Sequence, residues 1–106
     1  MNISLVLAVY NKLELTKNCY KSLRKVYPKA PLVISSGGSS DGTKEWLESL
    51  KDENLSFFHD DTRLTFSETY NAGIDLVDTE KLVLIHNDMV IGKHFLENLD
   101  RLLDEN

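Results

Sequence analysis

The stretch Ile3-Ser4-Leu5-Val6-Leu7-Ala8-Val9, running into Tyr10-Asn11, decides the fold. It is apolar apart from Ser4, carries β-branched residues and is too short for a buried helix. It therefore reads as a strand covered on both faces, the central strand of a parallel sheet. Downstream, Leu13 to Tyr27 reads as a helix. Its apolar residues Leu15, Cys19, Leu23 and Val26 recur at helical spacing, while Lys12, Lys17, Lys21 and Arg24 are expected to face water. Pro28 and Pro31 end that helix.

A second apolar run, Leu32 to Ile34, leads into the turn-rich Ser35-Ser36-Gly37-Gly38-Ser39-Ser40-Asp41-Gly42-Thr43 and a helix marked by Trp46, Leu47 and Leu50. Leu55 to Phe58 gives a third strand. Phe66, Tyr70, Ile74 and Val77 then fall on one helical stripe, with Ser67 available as a cap. Gly73 costs roughly 0.8–1.0 kcal/mol relative to Ala inside that helix, which points to close approach by another backbone or a ligand. Leu82 to Ile85 is a fourth strand, broken by His86-Asn87-Asp88. A terminal helix is marked by Phe95, Leu96, Leu99, Leu102 and Leu103.

The order βαβαβαβα predicts an α/β fold with a mainly parallel four-stranded sheet flanked by helices. Right-handed crossovers and a reversal of winding after the third strand give the order 3-2-1-4. Ligands in such sheets bind beyond the carboxyl ends of the strands, where Tyr10-Asn11 and His86-Asn87-Asp88 are expected to converge.

With 106 residues, 42% hydrophobic and 27% charged, the sequence excludes collagenous, low-complexity and disordered classes. Such a length hides roughly 60–70% of its unfolded surface, enough for one core. A single domain, 1–106, is expected. Twelve Lys+Arg against 17 Asp+Glu give a net charge of -5, which opposes binding to nucleic acid or an acidic bilayer. The longest apolar run, Leu5 to Tyr10, is far below the ~20 residues that span a bilayer, and no basic region precedes it. Lone Cys19 on a helical face reads as a buried reduced thiol, so a cytoplasmic protein is expected.

Four fragments, in order, carry a resemblance. Ala8-Val9-Tyr10-Asn11, Gly38-Ser39-Ser40-Asp41-Gly42-Thr43, Asn71-Ala72-Gly73 and His86-Asn87-Asp88 together make the chain similar to the start of a family 2 glycosyltransferase with the GT-A fold, Rossmann-like and nucleotide-binding. The resemblance implies an enzyme that binds a nucleotide-sugar donor and transfers the sugar to an unidentified hydroxyl acceptor with inversion. It implies a divalent metal, Mn²⁺ or Mg²⁺, on Asp88, because the leaving nucleoside diphosphate concentrates negative charge. His86 stands at the motif's first acidic position. Ligation of a softer metal, contact with ribose, lost activity and an ordinary strand-end histidine all remain open for it.

The resemblance further places Tyr10, Asn11, Ser36, Gly38, Asp41, Asp60, Asn71 and His86 at the donor. Each has a plainer reading. Tyr10 also suits core packing, Asn11 a turn, Asp41 a helix cap, and Asp60-Asp61 a solvated turn. The chain departs from the family at Ser36-Gly37, where acidic residues commonly precede the loop, and at Tyr70, where an Arg often stands. Arg63 reads as a compensating cation or as a solvated arginine. His59 and His94 lack zinc-site spacing with His86.

The family's catalytic base belongs to a later segment, so the resemblance implies a donor-binding half lacking the acceptor-binding part, with a homo-oligomer or partner chain as one way to supply it. A non-catalytic nucleotide-binding or subunit-assembly module is the alternative from another class. A flavodoxin-like or receiver domain fits less well, since the first strand lacks a terminal acidic pair.

Overall fold

The computed structural model describes residues 2–87 and Glu97. Its elements are β1 (Ile3–Val9), α1 (Leu13–Val26), β2 (Leu32–Gly37), α2 (Thr43–Ser49), β3 (Leu55–Asp60), α3 (Phe66–Ile74) and β4 (Lys81–Ile85). The expected terminal helix lies outside the described residues, as does Asp88. The sheet is parallel throughout, in the order β3-β2-β1-β4. Every residue of β1 and β2 is buried, whereas the edge strands β3 and β4 are half-covered. Among the described residues, no helix is long and apolar enough to cross a membrane.

One face of the sheet presents Ile3, Leu5, Leu7, Val9, Leu32 and Ile34 to Cys19 and Leu23 of α1 and Leu47 of α2. The opposite face carries smaller side chains and is covered by α3. Ser35 Oγ donates to the Thr69 carbonyl at 2.6 Å. A Cβ on Gly73 would stand 3.1 Å from Val6 Cγ1 and 3.2 Å from Ser35 Cβ. The missing side chain at Gly73 thus accommodates side chains of β1 and β2, not a backbone or a ligand.

This contact corrects the expected stripe of α3. Its buried residues are Thr69 and Gly73, while Phe66 is 64% exposed. Periodicity located the helix, and Tyr70, Ile74 and Val77 of the stripe are half-buried, but the fully buried positions are Thr69 and Gly73, because small residues permit closer approach to the sheet than aromatic ones. The cap is likewise Thr65 rather than Ser67. Its side chain accepts from the Glu68 amide, and Glu68 accepts from the Thr65 amide, a reciprocal capping box.

The second strand also differs from expectation by running on through Ser35, Ser36 and Gly37. Ser36 pairs with Val9 on one side and His59 on the other, so ladder pairing overrides the turn propensity of these residues. On α1, Leu15 is 40% exposed and Thr16 is buried in its place.

Arg24 does not face water. Its Nε donates to Asp52 Oδ2 at 2.8 Å, and its Nη1 donates to the carbonyls of Tyr27 at 3.0 Å and Ala30 at 2.7 Å. Tyr20 Oη donates to the same Asp52 oxygen at 2.7 Å, and its ring meets Trp46 edge-on. This group fastens the second half of α1 to both loops at the amino ends of β2 and β3.

Desolvation, the largest influence on Asp52, raises its pKa. Hydrogen bonds from Tyr20, the Asn54 amide and Arg24 together outweigh it and hold the carboxyl below its ordinary 3.8. A depressed folded pKa contributes stability that is present above the unfolded value and lost as pH falls through the folded one. Asp52→Asn should therefore cost about 1–3 kcal/mol near neutral pH. Urea unfolding of both proteins at pH 7 and pH 3 should show the gap shrinking toward the acid end. A gap that stays constant would contradict this role.

Candidate functional site

The site is assembled where β1, β2 and β3 end. After Val9 the chain turns through Asn11 (φ 53°) and Lys12 (φ 55°), two consecutive non-glycine residues in the left-handed region. Each costs on the order of 1–3 kcal/mol and persists only where its surroundings impose it. The imposing contacts come from the loop after β2. Ser39 Oγ accepts from the Asn11 amide at 2.9 Å, and Asn11 Oδ1 accepts from the Ser40 amide at 2.8 Å. Helix α1 lacks a cap of its own, because Lys12 offers none. Asp41 Oδ2 supplies it by accepting from the Leu13 amide at 2.9 Å.

The other oxygen of Asp41 serves α2. Oδ1 accepts from Thr43 Oγ1 at 2.6 Å and from the Thr43 amide at 3.3 Å. Asp41 thus caps two helices whose starts are 30 residues apart in sequence, Leu13 and Thr43. Desolvation acts most strongly on this carboxyl and raises its pKa. The hydrogen bonds from Thr43 and Leu13 outweigh it, so the group titrates below its ordinary 3.8. A persistent negative charge at two helix amino ends complements both dipoles.

Gly38 turns the loop. Its φ is +85°, its amide donates to the Asp60 carbonyl at 2.8 Å, and a Cβ there would overlap the Arg63 backbone. The absent side chain lets the loop after β3 fold back over the end of β2. Asp60 Oδ1 closes that loop by accepting from the Thr62 amide at 2.8 Å. Arg63 then lays its guanidinium over the Tyr10 ring, 4.2 Å from the centroid. An exposed pair of this kind contributes about 0.5–1 kcal/mol. Val9, Tyr10, Arg63, Leu64, Thr65, Phe66 and Thr69 line a cavity of about 370 Å³.

Beneath the Gly38 loop, Ser36 Oγ lies 3.0 Å from His59 Nδ1, and His59 Nε2 lies 2.9 Å from Asp61 Oδ1. A carboxylate only accepts, so Nε2 carries a proton. In the neutral ring Nδ1 then accepts from the Ser36 hydroxyl. The His59 hydrogen bond, with a smaller effect of Lys44, holds Asp61 below its ordinary pKa. His59 and Asp61 border a second, polar cavity of about 340 Å³ with Gly38, Ser39, Ser40, Lys44 and Glu45.

Of the expected donor residues, Tyr10, Asn11, Ser36, Gly38, Asp41 and Asp60 lie together at this end of the sheet. Asn71 is exposed on the side of α3 opposite Thr69 and Gly73, outside the cavity. His86 is exposed just beyond β4, and its carbonyl lies 3.7 Å from Cys19 Sγ. Asn87 Nδ2 donates to Thr16 Oγ1 at 3.4 Å, tying the end of β4 to α1. Tyr70, at the position where the resemblance implied an arginine, donates its hydroxyl to the Ile85 carbonyl at 2.8 Å and braces β4.

Among the described residues, no group of three His, Cys, Asp or Glu side chains could hold a metal ion. Sequence reasoning missed the Arg63–Tyr10 stack and the second bond of Asp41. The tandem glycine before Ser39 was the available signal for the first. Nothing local signals the second, which joins residues 28 apart.

A family model described as glycosyl transferase family 2 matches residues 4–106. No curated protein sequence matches the chain. Solved structures do. TarS 1-349 of S. aureus superposes with a TM-score of 0.83 at 21% identity, over 99% of this chain and 33% of that one. Mannosyltransferase PcManGT from Pyrobaculum calidifontis, in complex with GDP-Man and Mn²⁺, gives 0.83 at 20% identity over 96% and 32%. TarS 1-349 in complex with UDP gives 0.80 at 21% identity over 99% and 32%. The chain spans about a third of the length of each, and at these identities the likeness establishes the fold.

Gly38 and Gly42 both have positive φ, but a Cβ on Gly42 would meet only Leu13 Cδ2, at 3.5 Å. Gly38→Ala should therefore destabilise by about 1–3 kcal/mol more than Gly42→Ala, the added cost of overpacking. Urea unfolding of the two variants checks this. Equal losses would remove the Arg63 backbone as the reason for Gly38.

Proposed function

The chain belongs to glycosyl transferase family 2, and on that premise we propose that it forms the nucleotide-sugar-binding half of a glycosyltransferase. In this reading, residues 1–106 hold the donor, and the sugar passes to a hydroxyl acceptor with inversion. The observation that carries it is the meeting of Tyr10 and Arg63 at one cavity beyond the carboxyl end of β1, with Gly38 admitting the Arg63 backbone. Beside β1 the sheet order reverses, and open α/β sheets bind ligands there. Neighbours with this fold are recorded with UDP and with GDP-Man, which supports the donor class and leaves the base open.

The roles follow from the chemistry of each group. Tyr10 and Arg63 border the nucleobase, with Ser36, Gly38 and Asp60 behind them. Asn11 and Asp41 act through the loop they brace. Asp88 is the proposed metal ligand, with His86 beside it. A carboxylate and an imidazole suit Mn²⁺ better than Mg²⁺, and the Mn²⁺ bound to a neighbour agrees with that preference. When bound, the cation supplies positive charge to the departing diphosphate. A cytoplasmic site of action belongs to the same proposal, given that Cys19 is buried and the 106 residues hold no second cysteine with which to form an internal disulfide. The alternative, a non-catalytic assembly module, draws on Phe57, 39% exposed on the edge strand β3.

Calorimetry with UDP, GDP and their sugars, in Mn²⁺, Mg²⁺ or chelator, tests the reading. The wild type should bind about tenfold or more tightly with Mn²⁺ than with chelator, a difference of about 1.4 kcal/mol. Asp88→Ala should lose that difference. No binding, or equal affinity with and without metal in both proteins, would contradict the proposal. Nucleotide binding accompanied by self-association of the chain would favour the assembly module.

A further inference from the structure

We infer that Tyr70 is a positioning residue for the divalent cation: its hydroxyl holds the end of β4, the strand that leads into His86 and Asp88. The inference rests on the donor-binding reading above, with Asp88 as metal ligand, and adds a side chain on which the cation's affinity depends. Pairing between β1 and β4 ends at Leu7 and Ile85, whereas β1 pairs on with β2 through Ala8 and Val9. Where the ladder stops, side chains take over. The Ile85 carbonyl accepts from Tyr70 Oη at 2.8 Å, the His86 carbonyl from Cys19 Sγ at 3.7 Å, and Asn87 Nδ2 donates to Thr16 Oγ1 at 3.4 Å. Thr16 and Cys19 belong to α1 and Tyr70 to α3, so the strand end is gripped from both faces of the sheet. The Tyr70 bond is the shortest of the three.

Tyr70 is itself anchored. The residue before it, Thr69, is buried and accepts from Ser35 through its carbonyl, and Gly73 seats the next turn of α3 on Val6 and Ser35. Burial, the larger influence, raises the pKa of the phenol against an opposing bond from the Ala8 backbone, so the group stays protonated and remains a donor at neutral pH. An arginine here, as the resemblance implied, would carry a charge able to meet the donor's diphosphate. Tyr70 carries none, and its single hydrogen is committed to a backbone carbonyl. Neutralising the diphosphate then falls more heavily on the cation, whose affinity depends on groups that orient its ligands from outside the coordination shell.

The test is calorimetry of the wild type, Tyr70→Phe and Tyr20→Phe with UDP and GDP, in Mn²⁺ or chelator. Each substitution deletes one phenol hydroxyl, but that of Tyr20 bonds Asp52 at the other end of α1. In Mn²⁺, Tyr70→Phe should bind the nucleotide about 2- to 10-fold more weakly than the wild type, the loss of one neutral hydrogen bond. In chelator the two should bind equally. Tyr20→Phe should match the wild type in both conditions, although both variants lose stability. A readout on the wild type needs no variant: saturating Mg²⁺, which is diamagnetic, should shift the Tyr70 Cζ resonance of the nucleotide-bound protein. Tyr70→Phe with the wild-type Mn²⁺ dependence, an equal loss in Mn²⁺ and chelator, the same loss in Tyr20→Phe, or a Tyr70 resonance indifferent to the cation would overturn the inference and leave the donor-binding reading intact. A wild type that binds neither nucleotide, or binds equally with and without metal, would overturn both.

Discussion

The carboxylate of Asp41 holds the first turns of α1 and α2 at once, and the geometry of the site depends on it. One oxygen accepts from the Leu13 amide, the other from the Thr43 amide and hydroxyl. Neither helix has a capping side chain at its own N-cap position, where Lys12 and Gly42 stand. Helix amino ends expose amides that need partners, and here one side chain serves two of them. The consequence is a fixed distance between the turn after β1 and the loop after β2.

From that constraint the rest of the site follows in sequence. Ser39 and Ser40 can reach Asn11 only while the loop is held against the turn, and their bonds keep Asn11 and Lys12 in left-handed conformations. The same loop carries Gly38, whose missing side chain admits the Arg63 backbone and brings its guanidinium to Tyr10. The functional surface is thus three loops locked to one another at the carboxyl end of a buried parallel sheet. Arg24 and Asp52 do the corresponding work at the opposite end, so both ends of α1 are fastened by charge-assisted hydrogen bonds.

Much of the architecture was legible in the sequence, because the continuous apolar run of β1 and the alternation of strands and helices admit few topologies. The order 3-2-1-4 and the parallel register follow that logic. Where periodicity misled, a tertiary contact decided. Gly73 and Thr69 bury a small-residue face of α3 that a search for aromatic stripes passes over. Arg24 looked like a solvated charge because its carboxylate partner Asp52 and the Asn54 carbonyl lie in a loop remote from it in sequence, and the nearby Tyr27 and Ala30 carbonyls are backbone groups that carry no side-chain signal. The Thr-x-x-Glu spacing of Thr65 and Glu68 is a local capping-box signal, stronger than the lone hydroxyl of Ser67. At the site, fragments resembling the family located the right loops, but their mutual hydrogen bonds are long-range and leave no local trace. Asp88, on which the metal proposal rests, lies outside the described residues.

The most direct measurement is residue-resolved amide hydrogen exchange on the wild type and on Asp41→Ala. If one carboxylate fastens both helix starts, the amides of Leu13 and Thr43 should lose protection together, and those of Asn11 and Ser40 should follow, while β1 and β2 remain protected. Faster exchange at Thr43 alone would reduce Asp41 to an ordinary cap of α2. The two loops would then need some other reason to meet.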